Sequence, residues 1–117
     1  MLPETRKFLY DASLACKLLQ QFTHIRTLDD YRTDPLLRSP VERHFIIVSE
    51  ALAGALRIEP AIKDSITNAR RIISFRNILV HGYSAVEHET VWGKIENHLP
   101  LLPCEIDVLL QERNDQP

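Results

Sequence analysis

The chain has 117 residues, 44% of them hydrophobic and 26% charged, with a formal net charge of −2. That length supplies one small core, and the composition excludes a disordered, collagen-like or disulfide-scaffold chain. Three glycines, Gly54, Gly82 and Gly93, are too few for the turns of a small all-β fold, and the near-neutral balance excludes a protein that grips nucleic acid through bulk positive charge.

Seven prolines separate long stretches with helical periodicity. Over residues 4–25, Phe8, Ala12, Ala15, Leu18, Leu19, Phe22 and Ile25 recur at three- and four-residue steps and predict a first helix. Thr27 to Asp30 reads as a cap and a short helical turn, broken at Asp34-Pro35. Ser39, Pro40 and Glu42 read as N-cap, first helical position and capping-box partner of a second helix closed by Glu59-Pro60, with Val41, Phe45, Val48, Leu52 and Leu56 as its stripe. A third helix is expected over residues 60–81, carrying Ile62, Ile66, Ala69, Ile72, Ile73, Leu79, Val80 and Tyr83 on one face and ended by Gly82 in the left-handed conformation. Ser84 to Glu87 forms a second candidate capping box ahead of Val91, Trp92, Ile95 and Leu99. A last helix is expected over residues 100–112, leaving residues 114–117 as a frayed tail. The expected architecture is a single all-α domain over residues 1–117, an antiparallel up-down bundle of four to five helices.

No run approaches the length of a membrane span, and the N-terminus has no signal-peptide core, so the chain reads as cytoplasmic. Cys16 and Cys104 have no metal-ligand spacing and are expected as reduced, mostly buried thiols. His24, His44, His88 and His98 are scattered and read as surface residues, whereas Trp92 and Phe45 read as core. Phosphate-loop, zinc-hydrolase and serine-hydrolase motifs are absent, and no cofactor or metal is expected.

The third helix carries the chemistry. Arg76 falls near the centre of the stripe of Ile72, Ile73, Leu79, Val80 and Tyr83 on an ideal wheel, so either that face is not core at this point, or the guanidinium has a carboxylate partner such as Glu50, or it lines a cleft. His81 follows at the helix end, where it can serve as a cap, or exchange protons near neutral pH. With Asn77 placed to orient His81, an arginine fork and an imidazole suffice for metal-free RNA cleavage through the ribose 2′-OH. Arg76 and His81 lie about 140° apart around a straight helix, so the helix ends or distorts, the arginine curls, or a second chain completes the site.

The segment Arg76-Asn77-Ile78-Leu79-Val80-His81-Gly82-Tyr83 resembles the Arg-x4-His-x-Tyr signature of HepT-like toxins, a branch of the HEPN superfamily. Val41-Glu42-Arg43, the run Ile47 to Ala51, and Tyr83, Glu87, Val91-Trp92 and Leu99-Pro100 extend the similarity over residues 8–110. Upstream, Asn68-Ala69-Arg70-Arg71 stands where that family often carries a tryptophan. The resemblance implies an all-α homodimer with the motifs lining a cleft between subunits. It implies a metal-independent endoribonuclease of a toxin–antitoxin system, with Arg76 and His81 as active residues and Asn77 in support. The implied antitoxin is a minimal nucleotidyltransferase that silences the toxin by transferring AMP to Tyr83. The alternative is a HEPN-like dimer that binds the nucleotidyltransferase without useful nuclease activity.

Overall fold

The computed structural model describes residues 1–81 and 87–114, with side chains described as far as Gln111. Among the described residues every regular element is helical. The expectations for Gly82, Tyr83 and the Ser84 cap fall outside them.

Helix α1 (Pro3–Thr23) opens on a proline whose missing N–H is no loss at a helix start. It buries Leu9, Ala12, Ala15, Cys16 and Leu19, so its stripe includes Leu9 and stops short of Ile25, which is 88% exposed. Thr27 caps α2 (Leu28–Thr33) in a complete capping box with Asp30. Tyr31 of α2 is fully buried, tilted against Trp92 with ring centroids 5.4 Å apart.

Helix α3 (Pro35–Ile58) starts earlier than expected. The Asp34 carboxylate accepts from Leu36 N at 2.9 Å and makes Asp34 the N-cap, with Pro35 in the first turn. Ser39 and Pro40 are therefore inside the helix, and Glu42 accepts the Tyr31 hydroxyl at 3.1 Å instead of closing a capping box. The helix ends at Glu59 as anticipated. The expected third helix is interrupted: residues 60–65 form a 3-10 segment, and Asn68 adopts φ 59°, a left-handed value tolerated by asparagine. Only then does α4 (Ala69–His81) begin. Helix α5 (His88–His98) and helix α6 (Leu102–Asn114) complete the chain. Asn114 is thus helical, and residues 115–117 lie outside the described ones.

The long helices alternate in direction. At one end of α1, Leu2 N donates to Glu59 at 2.8 Å, and at the other Phe22 meets His44 edge-on at 5.1 Å, so α1 and α3 run antiparallel. The Phe8 ring of α1 sits against Gly54 of α3, where an added Cβ would stand 2.6 Å from it. Along α6, Asp107 accepts from Ser13 at 2.8 Å and Leu110 O from Arg6 at 3.1 Å, which fixes α6 antiparallel to α1. The buried side chains of these helices join in one core around Leu9, Leu19, Phe45, Leu52, Ile72, Ile95 and Ile106.

Two polar expectations are corrected by burial. His98 is buried at the end of α5, its ring 6.5 Å from Phe45, because the α5 stripe of Val91, Trp92 and Ile95 continues through it. Cys104 is exposed at the start of α6, while Cys16 is buried in α1.

Candidate functional site

Helix α4 is fixed before it presents any functional group. Glu105 of α6 accepts from both the backbone N and the hydroxyl of Thr67 at 2.9 Å, anchoring the chain just ahead of the helix. Ala69, Ile72, Phe75 and Leu79 then form its buried stripe. Phe75 packs edge-on against Phe45, centroids 5.4 Å apart, and Lys94 sits over its outer face. The Ser49 hydroxyl on α3 lies 2.8 Å from the Ile72 carbonyl, a buried link between the two helices beside the candidate site.

Phe75 belongs to the core and Arg76 to its flank. The sequence placed Arg76 at the centre of the stripe because it counted Ile73, Val80 and Tyr83 there and left out Phe75, whereas Phe75 is buried and Val80 is 38% exposed. The buried residues of α4 centre near Ile72, and Arg76 stands about 45° to one side of that line. Arg76 leans toward α3, where its guanidinium meets the Glu50 carboxylate at 3.4 Å, and it also donates to the side-chain Oδ1 of its neighbour Asn77 at 3.3 Å. Its side chain is 33% exposed and that of Glu50 51%. Such a pair is worth about 0–1 kcal/mol, so it steers the arginine without committing it.

His81 is exposed at the described end of α4, one helical turn beyond Asn77. Asn77 bonds Arg76, and among the described residues it makes no bond to His81. The helix is regular from Ala69 to His81, so no distortion brings Arg76 and His81 together. The polar groups are accompanied on α4 by Ile78 and Val80, which are 46% and 38% exposed. Among the described residues no group of three His, Cys, Asp or Glu side chains could hold a metal ion, and no helix is long and apolar enough to cross a membrane.

The family model for the HepT-like ribonucleases matches residues 12–109, the span from α1 to α6 that carries Glu50, Arg76, Asn77 and His81. The chain belongs to the HepT-like ribonuclease family. Among curated relatives of this family member, "Putative RNase MJ1380" of Methanocaldococcus jannaschii is 21% identical over 91% of this chain and 96% of its own. "Putative RNase MJ0127" of the same organism is 25% identical over 93% of this chain and 89% of its own. "Putative RNase TTE0752" of Caldanaerobacter subterraneus is 26% identical over 92% of this chain and 95% of its own. No solved structure matches the chain. Within this HepT-like chain the motif residues Arg76, Asn77 and His81 share the outer part of α4, and Tyr83 lies beyond the described residues. Arg57 of α3 and Lys63 of the 3-10 segment, which line one surface pocket with Arg70 of α4, had no sequence signal, since they gather only across three elements.

Proposed function

We propose that the chain is an endoribonuclease that cuts RNA without a metal, in a cleft between two copies of itself. The observation that carries this reading is that α4 leaves both groups reachable, His81 exposed and Arg76 a third exposed on the flank, in a member of a ribonuclease family. In the reaction His81 takes the proton from a ribose 2′-OH, whose oxygen forms a bond to the adjacent phosphorus. The bond from phosphorus to the 5′-oxygen breaks, water protonates that oxygen, and the products carry a 2′,3′-cyclic phosphate and a 5′-OH. Arg76, drawn off Glu50, donates to the phosphate oxygens as charge builds on them. Asn77 supports the site by holding the guanidinium.

A single copy leaves the two groups about 140° apart around α4, so Arg76 of one copy works with His81 of the other. Exposed Ile78 and Val80 supply apolar surface for such a contact. The setting is a toxin–antitoxin pair, and a minimal nucleotidyltransferase silences the enzyme. In that step the Tyr83 hydroxyl attacks the α-phosphorus of ATP, diphosphate leaves, and AMP remains on the tyrosine. The Arg76–Glu50 ion pair favours a second reading, in which both residues hold the fold of a binding module for that transferase.

RNA cleavage by the purified chain in excess EDTA separates the two. The expected result is cleavage that falls about 100-fold or more in His81→Ala with the assembly state unchanged. Equal cleavage by the variant, or a requirement for added metal, overturns the proposal. Intact mass after co-expression with the adjacent gene product tests regulation: a gain matching AMP that disappears in Tyr83→Phe is expected, and no gain removes that step.

A further inference from the structure

A second basic feature lies on α4, away from the motif. Ala53, Leu56 and Arg57 of α3, Pro60 and Lys63 of the 3-10 segment, and Arg70 and Ile73 of α4 enclose a surface pocket of about 320 Å³. Its floor is apolar and its rim carries three cations, with no carboxylate among the lining residues. Arg57, Lys63 and Arg70 are all exposed, and among the described residues none is paired with an acid. This contrasts with Lys7, Lys17, Arg32 and Arg76, each held by a carboxylate within 4 Å. In a chain of net charge −2, three unpaired cations around one concavity are a local concentration of positive potential.

The pocket is aligned with the motif. Arg70, Asn77 and His81 are separated by seven and four residues, so they fall within about 40° of one another around α4. Arg70 lies about 16 Å from His81 along the helix axis, and Arg76 lies between them. The antiparallel packing of α3 against α4 continues the groove from the Glu50–Arg76 pair, through Ala53 and Ile73, to the three cations.

We infer that the Arg57–Lys63–Arg70 pocket is a subsite for the backbone phosphates of single-stranded RNA, holding the strand a short way from the bond that is cut. This rests on the ribonuclease reading for its place in the reaction, and on the pocket itself for its chemistry. Extended RNA carries a phosphate at every residue, so a strand lying along α4 past His81 brings another phosphate to the three cations. Cationic contacts to phosphate release counterions and make binding salt-dependent. They position the strand without selecting its sequence.

The test compares two triple variants with equal loss of charge. One is Arg57→Gln/Lys63→Gln/Arg70→Gln, and the other is Lys7→Gln/Lys17→Gln/Arg26→Gln, whose residues lie outside the pocket. Both are checked for native helicity, then titrated with a fluorescent 2′-O-methyl oligonucleotide, which cannot be cut, over a series of salt concentrations. The pocket variant is expected to bind about tenfold more weakly, with the slope of log K against log salt shallower by about 2. The control is expected to keep most of the affinity, and in cleavage the pocket variant shows its loss in KM rather than in kcat. Wild-type affinity and slope in the pocket variant overturn the subsite while leaving the nuclease reading intact, and so does an equal loss in both variants. No binding by the wild-type chain overturns both. Binding lost in the pocket variant of a chain that cuts no RNA upholds the subsite and overturns only the nuclease.

Discussion

Arg76 shows how a side chain's position on a helix sets what it can do. On the flank of the buried stripe it reaches Glu50 yet keeps a third of its surface in water. Replacing it by lysine retains the charge but loses the planar fork that can span two phosphate oxygens. Arg76→Lys is therefore expected to lower kcat by about 100-fold while changing the unfolding free energy from urea melts by less than about 1 kcal/mol, the scale of an exposed pair. A midpoint that collapses together with activity would instead give Arg76 a purely structural role. The cysteines separate just as clearly. Burial first, and then the Asp107 charge, push the Cys16 thiol up to about 12 against a smaller opposing effect of Lys17, whereas Cys104 is open to solvent. An alkylating reagent at pH 8 should modify Cys104 alone in the native protein and both residues in urea, read by intact mass. The sequence named Arg76, Asn77 and His81 from residue type and spacing. It set the arginine at the centre of the stripe because isoleucine and valine at 73 and 80 look as apolar as Phe75, and only packing shows that Phe75 is covered and Val80 is not.

At the scale of elements, the start of α3 shows where local rules compete. Both Asp34-Pro35 and Ser39-Pro40 are good N-terminal signals, and the earlier one prevails because starting there also buries Leu37. Asp34→Ala should then cost about 1 kcal/mol and Ser39→Ala almost nothing, and equal losses in denaturant melts would contradict that assignment. At the end of α5, burial holds His98 below the ordinary imidazole value, with Lys94 and Arg71 adding to the shift. The unfolded chain takes up a proton on His98 before the folded chain does. Stability from this residue is fully present above about pH 6.5 and is lost as the pH falls toward the lower folded value. His98→Leu should flatten the decline of the urea midpoint below pH 6.5, and a slope equal to wild type would contradict this origin. Neither histidine burial nor the early start of α3 is written in residue spacing, since each depends on what a neighbouring helix covers.

The whole molecule measures 50 × 28 × 19 Å, and α4 keeps an open side that carries Asn77 and His81. The helical class was legible from sparse glycine and spaced proline, because those residues decide where a chain can turn. The proposed second copy entered the sequence reading twice, as what the HepT-like resemblance implies and as a geometric difficulty, since two groups about 140° apart on one helix do not meet at one phosphate. In the proposed dimer a C2 pairing would remove that difficulty by setting Arg76 of one copy against His81 of the other. Sedimentation of the purified chain should accordingly show a dimer at micromolar concentration. The most direct test mixes two inactive variants, Arg76→Ala and His81→Ala, under conditions in which subunits exchange. Each mixed dimer then holds one intact Arg76 and one intact His81 on different chains. Recovery of EDTA-resistant RNA cleavage toward half the wild-type rate per mixed dimer is the expected result, and mixed dimers that form but cut no RNA would contradict a site shared between two copies.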